Sequence, residues 1–120
     1  MGGTWQLISG RIQPNETAWE AGLREIREET GIEPTEYYRI PGISQFYRYE
    51  DDSINTMISF CAIVSSDVQV QLNDEHTRFQ WITIDQAIEM LMWPVDRSAL
   101  LEVRQTILNP SPAKQHLRIL

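Results

Sequence analysis

The sequence predicts an α/β (α+β) domain with a mixed sheet, and three observations lead to this fold class. A short β-strand pattern comes first, an amphipathic helical pattern follows it, and several strand patterns precede two more helical patterns. This order predicts strands and helices packed in layers around one core. The 120 residues are enough for one small domain, and no repeat or internal linker divides them. We place the domain at residues 1–108 and a C-terminal tail at residues 109–120.

The first helix has clear sequence signals at both of its ends. Thr4–Ile8 predicts a short strand, after which a loop leads to Thr17, a good N-cap residue. Glu20 follows Thr17 by three residues and completes a capping box. The helix is predicted to run to Thr30 and to end at Gly31, since glycine readily adopts the left-handed conformation of a C-cap.

The predicted helix has an apolar stripe and an acidic patch. We expect its inner stripe to consist of Trp19, Gly22, Leu23, Ile26 and Thr30. Glu25 is three and four residues away from Glu28 and Glu29, and each such like-charge pair costs about 0.2–0.5 kcal/mol. We expect these three carboxylates to lie on a different face from the stripe. A bound cation would offset their repulsion.

The remaining chain reads as strands followed by two helices. Strands are predicted at Glu36–Ile40, Ile43–Tyr49, Asn55–Val64, Val68–Leu72 and Arg78–Ile84. The run "EDDS" predicts a turn between the second and third of these strands. A helix opens at Asp85 and is broken at Pro94, and another helix follows it.

Composition narrows the classes of function and the compartment. The net charge of −7 argues against a nucleic-acid binder or an anionic-membrane binder, because both need a basic surface. A small phosphorylated ligand remains compatible with this charge if a metal ion accompanies it. The longest apolar run, Met57–Val64, is too short to span a bilayer, and the N-terminus does not resemble a signal peptide. Cys61 is the only cysteine, so we expect no disulfide framework and a cytoplasmic protein.

The acidic helix belongs to a longer pattern with fixed spacings. Its members are Gly10, Glu16, Arg24, Glu25, Ile26, Glu28, Glu29, Gly31 and Ile32. The chain thereby resembles the Nudix hydrolases, whose signature is G-x5-E-x7-R-E-U-x-E-E-x-G-U with U apolar. A short charged run alone usually marks a solvated helix face, but the distant Gly10 and Glu16 and the terminal Gly31 argue against that interpretation. The resemblance implies a Nudix-like α/β/α sandwich with a mixed sheet.

The resemblance also implies a divalent-metal site. Glu25, Glu28 and Glu29 would be metal ligands, with the carbonyl of Gly10 as an addition, and the ion would be Mg²⁺ or Mn²⁺. Hard Mg²⁺ prefers oxygen ligands and usually keeps waters and bridges substrate phosphates. Glu28 is also expected to take part in catalysis.

Three further residues complete the expected site. By resemblance, Arg24 ties the loop carrying Glu16 to the helix and orients the ligands, and both count as catalytic residues. The alternative is a surface salt bridge worth about 0–1 kcal/mol. Glu75 precedes Trp81 by six residues and, by resemblance, is an additional metal ligand or the general base. The alternative for Glu75 is a solvated loop carboxylate.

A looser similarity bears on the substrate. The runs "WQLISG", "EH…F-x-W" and "MWPVDRSAL" resemble the dihydroneopterin triphosphate (dATP) pyrophosphohydrolase branch. We therefore expect hydrolysis of a nucleoside or pterin triphosphate, with water attack on the diphosphate linkage and release of pyrophosphate. The alternatives are a dinucleoside polyphosphate or nucleotide-sugar hydrolase and, in another class, a non-catalytic binding module. A flat ring could stack on one of the aromatic residues Trp5, Phe46, Tyr47 and Tyr49.

The position of Trp5 leads to an expectation about assembly. Family members have more residues before the "W-x-L" strand, so we expect this chain to lack N-terminal strands of the sheet. An incomplete sheet would expose backbone groups and apolar surface. We expect a neighbouring chain in a homodimer, or the apolar C-terminal tail, to cover this surface. The alternative is that the natural start lies upstream of Met1.

Overall fold

The computed structural model describes residues 7–74 and 78–120, which form an α+β fold as predicted. In chain order the elements are helix α1 (Ala18–Thr30), strand β1 (Glu36–Arg48), strand β2 (Ser53–Ile63), helix α2 (Ile84–Met90), helix α3 (Pro94–Val103), a π-helical segment (Arg104–Leu108) and helix α4 (Lys114–Leu117). None of the helices in this part of the chain combines the length and the apolar character needed to cross a membrane.

The two strands form one long antiparallel hairpin. The predicted strands Glu36–Ile40 and Ile43–Tyr49 are a single strand, β1, whose pairing register with β2 shifts between Arg39 and Ile43. Pro41 lies in this interval, and proline cannot donate a ladder hydrogen bond, which accounts for the irregularity. A turn follows β1 where "EDDS" predicted one.

Two predicted strands are not formed. Residues 68–72 and 78–84 contain no strand, so the described residues have a two-stranded antiparallel sheet in place of a mixed one. The backbone N–H of Gln71 instead donates to the carbonyl oxygen of Thr30 at the end of α1, 2.8 Å away. Leu7 and Ile8 are not in a strand either, and the rest of the predicted strand Thr4–Ile8 lies outside the described residues.

Helices lie on both faces of the hairpin, as two adjacent tyrosines show. Successive side chains of a strand point to opposite faces. Tyr37 donates its hydroxyl hydrogen bond to the carbonyl oxygen of Trp19 in α1 (3.2 Å) and stacks on Phe60 with 5.3 Å between ring centroids. Tyr38 faces the other way, into a buried cluster with Ile40, Ile107 and Leu117. The α/β/α layering therefore holds around the hairpin.

The C-terminal tail is docked on β1. Leu117 is buried in the cluster with Tyr38, and the N–H of Ile119 donates to the carbonyl oxygen of Tyr37 at 2.7 Å. The N–H of Tyr37 in turn donates to the carbonyl oxygen of Leu120 at 3.2 Å. The tail thus supplies backbone partners to β1.

The C-terminal helices follow the prediction with small shifts. Helix α2 begins at Ile84 rather than Asp85, because Thr83 is its N-cap and forms a capping box with Gln86. Pro94 is the first residue of α3, the position where a helix best tolerates proline. The predicted last helix therefore corresponds to α3 and the π-helical segment together.

Candidate metal and phosphate site

The acidic helix α1 is fixed at both ends by its own sequence. The backbone N–H of Glu20 donates to Thr17 Oγ1 at 3.3 Å, and the backbone N–H of Thr17 donates to Glu20 Oε1 at 2.8 Å. The bond from the Thr17 N–H, with a second bond from the Thr17 hydroxyl to the same Oε1, holds the pKa of the Glu20 carboxyl below its usual range. Gly31 has φ 71° and ends the helix, as predicted. The capping box and the left-handed glycine set the start and the end of the helix that carries the site.

Arg24 joins the loop before α1 to the acidic face of the helix. Its guanidinium binds both carboxylate oxygens of Glu16, with Nε 3.1 Å from Oε2 and Nη2 2.9 Å from Oε1. Nη1 donates to Glu25 Oε1 at 2.8 Å and to Glu28 Oε2 at 3.2 Å. Nη2 also donates to the carbonyl oxygen of Arg11 at 2.8 Å. One side chain thus connects three of the acidic residues that the motif predicted and a loop carbonyl.

The Arg24–Glu16 pair differs from an ordinary surface salt bridge. The Arg24 and Glu16 side chains are only 20% and 15% exposed, and the contact is bidentate, a geometry that adds both strength and direction. The hydrogen bond from Arg24, together with a backbone N–H donated by Gln13, lowers the pKa of Glu16. The carboxylates of Glu16 and Glu25 in turn raise the pKa of Arg24 above its usual range. The pair therefore stays ionised at neutral pH.

The three expected metal ligands differ in their surroundings. The Glu25 side chain is 15% exposed, and its carboxylate lies so close to Gly10 that a Cβ atom on residue 10 would overlap it. The Glu28 side chain is 55% exposed. Glu29 is buried, with 2% of its surface exposed. The structure therefore brings Gly10 and Glu25 together and leaves Glu28 open to solvent.

The burial of Glu29 corrects one expectation. We expected all three carboxylates to lie away from the buried stripe, but Glu29 is buried beside Thr30, whereas Trp19, predicted to be in the stripe, is 36% exposed. Helix periodicity locates a stripe but does not tell how far neighbouring segments cover its edges. Here the chain returns to the end of α1, where the N–H of Gln71 donates to the carbonyl oxygen of Thr30.

The oxygen atoms of these residues are chemically suitable ligands for a hard divalent cation. Glutamate carboxylates and the backbone next to Glu25 offer oxygen ligands, as Mg²⁺ requires. Within residues 7–74 and 78–120 no three acidic, histidine or cysteine side chains are gathered closely enough to hold an ion by themselves. Mg²⁺ is usually held by one or two carboxylates together with substrate phosphates, so an arrangement completed by substrate fits these residues.

The other candidate residues lie apart from this group or outside the description. Glu75 and Trp5 lie outside the described residues. Phe46, Tyr47 and Tyr49 are exposed on the hairpin, and the hydroxyl of Tyr47 donates to Asp52 Oδ1 at 2.7 Å. No described contact joins these aromatic side chains to the acidic helix.

Sequence reasoning missed two contributors to the site. The carbonyl oxygen of Arg11 accepts from Arg24, and a backbone acceptor has no signature in the residue type. Tyr37 packs under α1, where a Cβ atom on Gly22 would overlap its hydroxyl. The signal for this contact was present, since a glycine inside a helix costs roughly 0.5–1 kcal/mol relative to alanine and usually has a packing reason.

The chain belongs to the NUDIX domain family, whose profile matches residues 1–103. It is 30% identical over 103 residues to the bis(5'-nucleosyl)-tetraphosphatase [asymmetrical] of Rattus norvegicus, an alignment covering 84% of this chain and 70% of the rat protein. A second relative, the octanoyltransferase of Myxococcus xanthus, is matched over only 26% of its own length. These matches confirm the predicted family and, at the level of class, a Nudix pyrophosphohydrolase.

Solved structures agree with the family assignment. A NUDIX hydrolase structure from Listeria monocytogenes superposes with a TM-score of 0.76 at 21% identity, covering 98% of this chain and 81% of that one. The dihydroneopterin triphosphate pyrophosphohydrolase of E. coli gives a TM-score of 0.73 at 22% identity, covering 89% of this chain and 79% of the other. At these identities the likeness establishes the fold alone.

Proposed function

We propose that the protein is a divalent-metal-dependent hydrolase that cleaves a diphosphate linkage in a nucleoside polyphosphate by water attack. The observation that carries this proposal is the contact of Arg24 with Glu16, Glu25 and Glu28, in a chain whose family acts by hydrolysis. A solvated acidic face would not need a central guanidinium that also reaches back to the preceding loop. A non-catalytic binding module would not need the complete set of motif glutamates.

The chain's own residues have separate roles in this proposal. Glu25, Glu28 and Glu29, with the Gly10 carbonyl, would hold Mg²⁺ or Mn²⁺. When bound, such an ion polarises phosphate oxygens and lowers the pKa of a bound water.

Arg24 would fix the direction of two of these carboxylates. It contacts Glu25 and Glu28 through Nη1, and the two bonds to Glu16 hold its guanidinium plane in place. Glu16 is thus a positioning residue. Its ionised carboxylate also balances the charge of Arg24, leaving the ligand carboxylates available for a cation.

Glu75 is the proposed general base or an additional metal ligand. A carboxylate that accepts the proton of the attacking water typically contributes about 10²–10⁴ in rate. Glu28, which is open to solvent on α1, is the second candidate for this proton transfer.

Three substrate classes are proposed in order. The first is a nucleoside or pterin triphosphate, from which pyrophosphate would be released, supported by the similarity of three sequence runs to the dihydroneopterin triphosphate branch. The second is a dinucleoside polyphosphate, supported by the relation to the rat tetraphosphatase. The third, an alternative within the class, is a nucleotide sugar.

The reducing cytoplasm is the proposed place of action, because a single cysteine offers no disulfide. Residues 1–108 are the proposed catalytic domain. A homodimer stays a prediction.

The test is a product analysis with purified protein. Each reaction would contain the protein, Mg²⁺ and one substrate: dATP, dihydroneopterin triphosphate, diadenosine tetraphosphate or a nucleotide sugar. The products would be separated by ion-exchange chromatography. Pyrophosphate with a monophosphate supports the first substrate class, whereas ATP with AMP from diadenosine tetraphosphate supports the second. A chelator should abolish turnover, and added Mg²⁺ or Mn²⁺ should restore it.

A variant links this turnover to the acidic helix. Glu28→Gln should lower kcat by about 10²-fold or more while the protein remains folded by circular dichroism. Glu33→Gln is the matched control, because Glu33 lies beyond α1 and pairs with Arg27 rather than with Arg24. Normal turnover in Glu28→Gln, or no turnover of any substrate by the wild-type protein, would count against the proposal.

A further inference from the structure

A cleft lies between the C-terminal tail and β1, on the opposite face of the hairpin from α1. It has a volume of about 420 Å³ and is open to solvent. Its lining residues are Tyr38, Ser111, Pro112, Lys114, Gln115 and Arg118. Tyr38 forms its buried wall, while the adjacent Tyr37 points to α1. The cleft is therefore separate from the acidic helix and from the proposed hydrolase site.

The cleft gathers two cations in a protein whose net charge is −7. Elsewhere in the described chain several arginines are engaged in ion pairs, namely Arg24, Arg27, Arg48 and Arg104. Lys114 and Arg118 form no ion pair with a side-chain carboxylate of residues 7–74 and 78–120. The ammonium of Lys114 lies 5.5 Å from the centroid of the Tyr38 ring, and Nε of Arg118 donates to the carbonyl oxygen of Leu120 at 2.8 Å.

One carboxylate competes for these cations. Glu36 accepts the hydroxyl hydrogen bond of Tyr38, and this bond, with the charges of Arg118 and Lys114, lowers its pKa. The hydroxyl of Ser111 accepts from the N–H of Ala113 at 3.1 Å, which leaves its own hydrogen available to donate into the cleft.

We propose that this cleft binds a phosphate-bearing anion. A guanidinium offers a planar fork of donors, an ammonium offers a compact charge, and a hydroxyl adds a neutral donor, a combination that matches the several oxygens of a phosphate group. A carboxylate has only two oxygens, whereas a phosphate group has enough oxygens to accept from Arg118, Lys114 and Ser111 together. Binding here needs no metal ion, which separates it from the hydrolase site.

The experiment is isothermal titration calorimetry of the full chain with excess chelator at low ionic strength. The probes are inorganic pyrophosphate and a nucleoside monophosphate, which distinguish a free phosphate from a phosphate ester. Saturable binding is expected, and Lys114→Gln and Arg118→Gln should each weaken it about tenfold, as expected for the loss of one charge-assisted contact. Arg48→Gln is the matched control, because it removes the same charge from the exposed hairpin and should change affinity less than twofold.

A third variant tests whether removing a negative charge from the cleft strengthens binding. Glu36→Gln removes the competing negative charge and should therefore strengthen binding by several-fold. The amide oxygen can still accept from Tyr38, so the contact between residues 36 and 38 is kept. Absence of saturable binding for both probes, or an equal loss in Arg48→Gln and Lys114→Gln, would overturn the proposal. Since these titrations contain no free metal, their outcome is independent of whether the protein hydrolyses nucleotides.

Discussion

Two nitrogens of Arg24 donate hydrogen bonds to the carboxylate of Glu16, Nε at 3.1 Å and Nη2 at 2.9 Å. Glu16 lies eight residues before Arg24 in the sequence. This bidentate contact fixes the guanidinium plane, and the remaining nitrogen, Nη1, then reaches Glu25 and Glu28. The loop before α1 thereby sets the direction of two carboxylates on the helix.

The first prediction tests that geometry at constant charge. Arg24→Lys keeps one positive charge but cannot make two parallel bonds to Glu16 while also reaching Glu25 and Glu28. We expect kcat to fall by about a hundredfold, the order expected when catalytic groups are displaced by about 1 Å. Arg27→Lys is the control, because Arg27 pairs with Glu33 outside the site. Equal kinetics of the two variants on the substrate that the panel identifies would contradict the role of Arg24.

The helix was predictable because its signals are local. Thr17, Glu20 and Gly31 act on the backbone within one turn, so their types and spacings suffice to place both ends of α1. The pairing of Arg24 with Glu16 was suggested by the motif rather than by local signals. The carbonyl of Arg11 could not be predicted, since every residue carries a carbonyl and only the path of the loop selects this one.

Residues 68–72 and 78–84, which were predicted as strands but do not form them, show that hydrophobic periodicity alone does not determine whether a strand forms. Alternation of apolar and polar residues indicates that a segment suits a half-buried strand, but a strand also needs a neighbour with free backbone groups. Gln71 finds its partner at Thr30, in the helix. In the described chain the edge of β1 is contacted instead by the tail, through Ile119 and Leu120.

The second prediction concerns the contact between α1 and the sheet. Gly22→Ala should destabilise the protein by about 1–3 kcal/mol, because the added Cβ atom would overlap the Tyr37 hydroxyl and lie 3.2 Å from Phe60. In an open helix position the same change would be stabilising.

Tyr37→Phe provides the control through a double-mutant cycle. Removing the hydroxyl eliminates the overlapping atom and also the bond to the Trp19 carbonyl, a loss of about 1 kcal/mol. The two changes together should therefore cost clearly less than the sum of their separate costs. Urea unfolding of the four proteins measures this coupling, and strict additivity would show that the overlap is relieved elsewhere.

The third prediction concerns the C-terminal tail. Leu117 is buried in the cluster with Tyr38, Ile40 and Ile107, so Leu117→Ala should cost about 2–5 kcal/mol of stability. Leu120→Ala changes the same residue type in the same tail at a half-exposed position and should stay within about 0.5 kcal/mol. Similar unfolding midpoints for the two variants would show that the tail does not stabilise the domain.

The fourth prediction is a pH window for stability. The bond from the Tyr38 hydroxyl lowers the pKa of Glu36 and raises the pKa of Tyr38. A depressed carboxyl pKa gives stability that is present above its unfolded value and lost as the pH falls through the folded value. A raised phenol pKa gives stability that is present below its unfolded value and lost as the pH rises through the folded value.

The pair should therefore stabilise the fold mainly between about pH 4.3 and pH 10, the ordinary values of the two groups. Urea midpoints from pH 3 to pH 11 would be compared for the wild-type protein and Tyr38→Phe, and their difference should be largest inside this window. Tyr49→Phe, which alters an exposed tyrosine on the hairpin turn, should leave the profile unchanged. A difference that does not vary with pH would contradict the contribution of the bond.

The last prediction addresses the proton acceptor. If Glu75 is the general base, Glu75→Gln should lower kcat by about 10²–10⁴ with little change in KM, because the amide is nearly isosteric but cannot take the proton. If Glu75 is instead a metal ligand, raising the Mn²⁺ concentration should recover part of the lost rate, whereas a missing base is not replaced by more metal. Asp74→Asn is the control, because it removes the same charge from the neighbouring exposed residue. Unchanged kcat in Glu75→Gln would assign the proton transfer to another group, and the first to test would be the solvent-exposed Glu28 on α1.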